Sequence, residues 1–96
     1  MRLRLTSPAA AELADAFDWY NDQRPGLGAQ FLDDYDNTLE RVCDNPVQFP
    51  ILRGGLRKAR FHRFPYSLFF RILADKVEIV ACFHSSRNPR HWQRRT

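Results

Sequence analysis

Cysteine is scarce in this chain: Cys43 and Cys82 are the only two in 96 residues, and neither lies in a CxxC or histidine-rich pattern. They read as free thiols that pack like small hydrophobic side chains, rather than as a disulfide or as metal ligands. Long apolar runs are missing too. The longest, Ile79 to Phe83, is far too short to cross a bilayer. Met1-Arg2-Leu3-Arg4-Leu5 contains no apolar h-region, so no signal peptide is expected, and a reducing, cytoplasmic setting follows. There is no glycine-rich phosphate loop and no HExxH, so neither a cofactor nor a metal is expected. Asp33, Asp34 and Asp36 stand close together, but no histidine or further carboxylate is placed to complete a metal site. Ser85 and Ser86 adjoin His84, yet a nucleophilic triad needs a base aimed at the hydroxyl, which neighbours at a strand end do not supply.

What is present is a folded domain. Hydrophobic content of 44% with 14% aromatics is too high for a disordered chain. At 96 residues, the whole of 1–96 is expected to form one domain with one two-layer core. The charge is unevenly spread. Residues 1–50 carry four arginines against nine carboxylates, and residues 51–96 carry eleven Lys or Arg against Asp75 and Glu78. Either the basic half meets something anionic, or the two halves attract each other.

Leu3 and Leu5 alternate with Arg2 and Arg4, as in a short strand with one buried face. Ser7-Pro8 predicts a helix start, with serine as the cap and proline in the first turn. Ala9, Leu13, Ala16, Phe17 and Tyr20 then form a helical stripe, with Glu12, Asp15, Asp18 and Asp22 off it. Arg24-Pro25-Gly26 breaks the helix. A second stripe runs through Leu27, Phe31, Tyr35, Leu39 and Val42, and Asn45-Pro46 ends it. The acidic run at Asp33, Asp34 and Asp36 reads as a solvated helix face. So short a link makes the two helices an antiparallel hairpin.

Breakers fill residues 46–55, where Phe49 and Ile51 are expected to tuck under the helices. Three strands follow, at about Leu56 to Arg63, Ser67 to Leu73, and Val77 onward. Alternation puts Lys58, Arg60 and His62 on one face of the first and Arg57, Ala59 and Phe61 on the other. In the last strand Val77, Ile79, Ala81 and Phe83 share a face, and Glu78, Val80, Cys82 and His84 share the opposite one. Ala74-Asp75-Lys76 lacks the Asn-Gly or Asp-Gly of a two-residue hairpin, so a longer connection is expected. The predicted fold is α+β: β-α-α-β-β-β, two-layered, with a helical hairpin on one face of a small antiparallel sheet. The first strand joins beside the last to bury Leu3 and Leu5.

The face turned away from the helices would gather Arg2, Arg4, Lys58, Arg60, His62, Arg71 and His84. A basic tail holding Arg87, Arg90, His91, Arg94 and Arg95 would hang beside it. Such a surface suits a phosphate backbone and stacked bases, and it equally describes an ordinary solvated sheet face.

Taken together, Leu13, Trp19-Tyr20, Pro25-Gly26-Leu27-Gly28, Phe31-Leu32, Asn45-Pro46, Phe49-Pro50, Arg57, Arg63-Phe64-Pro65-Tyr66 and His84-Ser85-Ser86-Arg87-Asn88-Pro89-Arg90-His91-Trp92 resemble the ParE branch of the RelE/ParE toxin superfamily. The Phe-Pro-Tyr turn and the His-x-x-Arg-x-Pro-x-x-Trp tail carry most of that resemblance. It implies a helix hairpin on an antiparallel sheet, a toxin of a type II toxin–antitoxin system associated with plasmid stabilisation, and growth arrest. It also implies a cognate antitoxin with an acidic C-terminal segment and a ribbon-helix-helix or similar DNA-binding head. ParE-like toxins inhibit DNA gyrase without being enzymes, which here would put Arg57, Arg60, His84, Arg87, Arg90 and Trp92 on the target, with no membrane involved. RelE-like relatives instead cut messenger RNA on the ribosome without a metal. That alternative would use Lys58, Arg60 and Arg71 for the phosphate and His84 or His91 for protons. All three tyrosines lie before residue 67, so the tail lacks a RelE-type tyrosine. A third alternative is an inactive module that only binds antitoxin.

Overall fold

The computed structural model describes residues 2–86 and residue 95. Strand β1 (Arg2–Leu5) leads into helices α1 (Ser7–Gln23) and α2 (Leu27–Asp44). Two short 3-10 turns follow, Pro46–Gln48 and Arg53–Gly55, and then β2 (Arg57–Arg60), β3 (Tyr66–Leu73) and β4 (Lys76–His84). The sheet order is β1-β4-β3-β2. The last three strands form the expected antiparallel meander, and β1 joins beside β4 as expected. β1 runs parallel to β4, so the sheet is mixed rather than wholly antiparallel. A parallel pair needs a long crossover, and everything from α1 to β3 supplies it.

The helices form where the stripes predicted them, with small shifts. The N-cap of α1 is Thr6 rather than Ser7; the Thr6 hydroxyl accepts the Ala9 N–H at 3.4 Å, and Ser7 and Pro8 occupy the first turn. Gly26 adopts φ 88° at the start of α2, a conformation that favours glycine. Gly28 lets the two helices approach: a Cβ there would lie 2.8 Å from Asn21 and Phe17 side-chain atoms. The Asn21 side chain instead accepts the Gly28 N–H at 2.9 Å.

The buried line of α2 is Gly28, Phe31, Asp34, Thr38 and Val42, rotated from the predicted stripe, so that Leu27, Tyr35 and Leu39 lie half-buried at its rim. Asp33 and Asp36 are solvated as expected, but Asp34 is only 4% exposed. Its carboxylate accepts the backbone N–H groups of His62, Arg63 and Phe64 at 3.1, 2.8 and 2.8 Å. Those donors belong to the Phe61–Pro65 turn, which the reading of a strand to Arg63 missed; β2 stops at Arg60 because this carboxylate takes the N–H groups that a ladder would have used. Above it, Phe31 is fully buried against the rings of Tyr20, Phe61, Phe64 and Tyr66.

The largest departure from period-two reading lies in β4. Phe70 pairs with Ile79 and Phe69 with Ala81, so Val80 is an extra, bulged residue. The bulge reverses the alternation. Val77 and Ile79 face the helices, but beyond Val80 it is Cys82 that joins that core, while Val80, Ala81 and Phe83 join Leu56 and Phe69 in a second cluster. The face away from the helices is therefore not a basic plane: Leu56, Phe69, Val80, Ala81 and Phe83 are all buried on it. Three smaller expectations also fail. Leu3 and Leu5 remain 43% and 37% exposed, because β1 is a short edge strand beyond the reach of the helices. Phe49 is buried, but Ile51 points to solvent while its backbone bridges Arg57. The β3–β4 connection is a two-residue hairpin after all, with Ala74 at φ 49°.

Candidate functional site

Arg57, Lys58 and Arg60 stand on β2, but they serve different ends. Arg57 turns inward and donates to the carbonyls of Phe49 at 2.6 Å and Val47 at 3.4 Å, tying down the 46–55 connection. Lys58 lies over the Phe69 ring, 5.9 Å from its centroid. Arg60 is exposed, and its own carbonyl accepts from Arg41 at 2.7 Å. Together with Arg41, His62, Phe49, Pro50 and Phe61, Lys58 and Arg60 line a cleft of about 470 Å³ at the sheet edge. It is cationic with an apolar floor, a combination that receives a carboxylate or phosphate beside a hydrophobic group. Sequence patterning missed Arg41; its position three residues after Thr38, in the last turn of α2, was the available signal.

Arg71 is engaged elsewhere. Glu78, 4% exposed, takes its Nη2 at 2.7 Å and its Nε at 2.8 Å, and holds Arg4 at 3.4 Å. Two of the expected outward cations thus neutralise one buried carboxylate. His84 is not on the outer face. The bulge turns it toward α1, where its ring meets Tyr66 edge-on at 5.2 Å and its Nδ1 takes contacts from the Ser86 N–H at 3.0 Å and the Ser86 hydroxyl at 2.8 Å. With Glu12, Asp15, Ala16, Trp19, Tyr66 and Cys82 it lines a cavity of about 200 Å³. Burial, with the nearby Glu12 charge adding to it, pushes the Cys82 thiol well above its ordinary range. Native protein is therefore expected to be alkylated at half-buried Cys43 long before Cys82 at pH 8, as mass spectrometry after timed iodoacetamide treatment would read; rapid labelling of both would contradict the burial.

Glu12 lies off the predicted α1 stripe. It accepts the Cys82 N–H at 3.1 Å and two Arg95 guanidinium donors at 2.9 and 2.8 Å. Nothing in the sequence pattern joins residues 83 apart, so this pair was not foreseeable. The expected target residues Arg87, Arg90 and Trp92, and the expected proton carrier His91, lie outside the described residues. Among the described residues no three His, Cys, Asp or Glu side chains gather as metal ligands, and no helix is long and apolar enough to cross a membrane.

The β-α-α-β-β-β order, the hairpin over the sheet and the Phe-Pro-Tyr turn locked onto α2 agree with one family. A profile of the family described as "ParE toxin of type II toxin-antitoxin system, parDE" matches residues 3–89. The chain belongs to the ParE toxin family. No curated protein matches its sequence. Among solved structures, a chain of the "Chromosomal ParDE TA system from P. aeruginosa" is similar in fold, with a TM-score of 0.77 at 24% identity, over 88% of this chain and 95% of that one. This ParE-family toxin is α+β, with two helices on a four-stranded mixed sheet.

Proposed function

We propose that this ParE-type toxin inhibits DNA gyrase without catalysis, arrests growth, and is held inactive in the cytoplasm by a cognate antitoxin. The observation that carries the non-enzymatic reading is how Arg71 and His84, two of the residues expected for cleavage, are disposed. Cleaving a phosphodiester needs cations and a proton carrier converging on one phosphate. Here Arg71 is closed on Glu78, and His84 lies on the helix side of the sheet while Lys58 lies on the other. His62 lines the cleft with Lys58 and Arg60, but a phosphate held there would have neither the proton of His84 nor the charge of Arg71. The target surface is proposed to be the C-terminal segment with Arg87, Arg90 and Trp92, together with Arg60 and the β2 cleft. Arg57 and His84 act in this reading from beneath, holding the 46–55 connection and the end of β4.

The antitoxin is proposed to lay an acidic segment along this basic half and to use the open edge at β1, where Leu3 and Leu5 are exposed. Expression without antitoxin, followed by separate readouts of DNA supercoiling and messenger RNA integrity, tests the function. The expected result is growth arrest with loss of negative supercoiling and intact transcripts. Transcripts cut within codons, with supercoiling normal, would establish the ribonuclease reading instead. Arg87→Ala and Trp92→Ala are expected to relieve growth arrest at unchanged melting temperature; full toxicity in both would remove the tail from the target surface.

A further inference from the structure

β1 has only four residues and ends at Leu5, where α1 takes over. β4 continues past it to His84. Among the described residues no strand lies on the β1 side of β4 from Val80 onward, and side chains take part in satisfying its backbone there. Glu12 and Arg95 meet two of these groups, and the Thr6 hydroxyl also donates to the Val80 carbonyl at 3.5 Å. Glu12 Oε1 accepts the Cys82 N–H at 3.1 Å, and Arg95 Nη1 donates to the Val80 carbonyl at 2.9 Å. The two side chains close on each other as a fork, at 2.9 and 2.8 Å. The Arg95 guanidinium also lies 4.8 Å from the Phe83 ring centroid. Glu12 and Arg95 side chains are 15% and 29% exposed, so this is a partly desolvated, two-bonded pair rather than a surface contact.

The pair has a positional consequence. The near end of the C-terminal segment is held where the Ser85 N–H donates to the Pro65 carbonyl at 2.8 Å. The far end is held at Arg95. We propose that Glu12 is a positioning residue for target recognition: by gripping Arg95 it fastens the far end of the C-terminal segment to α1 and the open edge of β4. This inference rests on the proposed role of that segment in gyrase inhibition. A segment tethered at one end only must be ordered when the target binds. For a stretch of this length the entropy of closing the second end is worth about tenfold or more in affinity.

Glu12→Gln is the informative variant, because glutamine keeps an oxygen for the Cys82 N–H while removing the charge that holds Arg95. Its melting temperature is expected to stay close to that of the parent. Trypsin cleavage after Arg87, Arg90 and Arg94 is expected to accelerate, and gyrase inhibition to weaken about tenfold or more. Arg95→Ala is expected to match it, Glu12→Gln/Arg95→Ala to be no worse than either single variant, and Arg95→Lys to recover part of the loss. Unchanged trypsin rates in Glu12→Gln would overturn the anchor. Faster cleavage with full gyrase inhibition would overturn the positioning role. A parent protein that leaves gyrase untouched would instead sink the gyrase reading, and with it the positioning role, while the trypsin rates would still decide the anchor.

Discussion

Replacing Asp34 with alanine is expected to lower the free energy of unfolding by about 3–5 kcal/mol, the range for removing one partner of a buried charged network. The carboxylate is the sole described acceptor for three consecutive backbone N–H groups, of His62, Arg63 and Phe64. Alanine cannot accept any of them, and each loses a charge-assisted bond worth about 1.5–3 kcal/mol at most. The penalty falls short of three such terms because water reaches part of the turn: His62 and Arg63 are exposed. Asp34→Asn, with one oxygen left, is expected to fall between the parent and alanine. Urea unfolding measures all three, and a loss below about 1 kcal/mol for alanine would mean that the turn holds itself.

Phe31→Ala is expected to cost about as much, roughly 3–5 kcal/mol, the range for deleting a buried aromatic side chain. Phe31 has no exposure and touches the rings of Tyr20, Phe61, Phe64 and Tyr66, with centroids at 5.4, 5.4, 5.5 and 5.0 Å. No neighbour can close the resulting void without giving up its own ring contacts. Phe31 and Asp34 lie one turn apart on α2 and grip the same 61–66 turn, one by its rings and one by its backbone. Their losses are therefore expected to be non-additive, with the double variant less destabilised than the sum. Because a small domain has only about 5–15 kcal/mol in total, either change takes a large share of it. Strict additivity in a double-mutant cycle would show that rings and backbone are held independently.

The Phe-Pro-Tyr turn, conspicuous in the sequence, is thus explained by what holds it. Its backbone is bonded to a helix carboxylate, and its flanking rings enclose Phe31. From there Tyr66 begins β3 and meets His84 at the end of β4, which leads into the C-terminal segment. Fold stability and the placement of the proposed target surface share these contacts.

Breakers and helical spacing were enough to place both helices and the meander, because those features depend on local conformational preference and on one buried face per element; β1 does lie beside β4, but not for the expected reason, since Leu3 and Leu5 stay exposed. Asp34 was legible in part: it stands three residues after Phe31 and four before Thr38, on the line that is buried, but three nearby carboxylates read more simply as a wet face. Its acceptor role appears only when the 61–66 turn is brought against α2. His84 shows the limit most clearly. Strict alternation put it with Lys58 and Arg60. A single bulged residue, Val80, reversed the phase and carried it to the helix side, into the cavity with Trp19 and Tyr66. A bulge is a property of a strand pair, set by how β3 and β4 align, and neither strand alone encodes it. The same holds for the Glu12–Arg95 fork, which joins the two ends of the chain because β1 stops short and leaves β4 with backbone groups to satisfy. Local sequence thus decides which segments are helix and strand, while the pairing of strands and the completion of buried hydrogen bonds decide which face each functional side chain reaches.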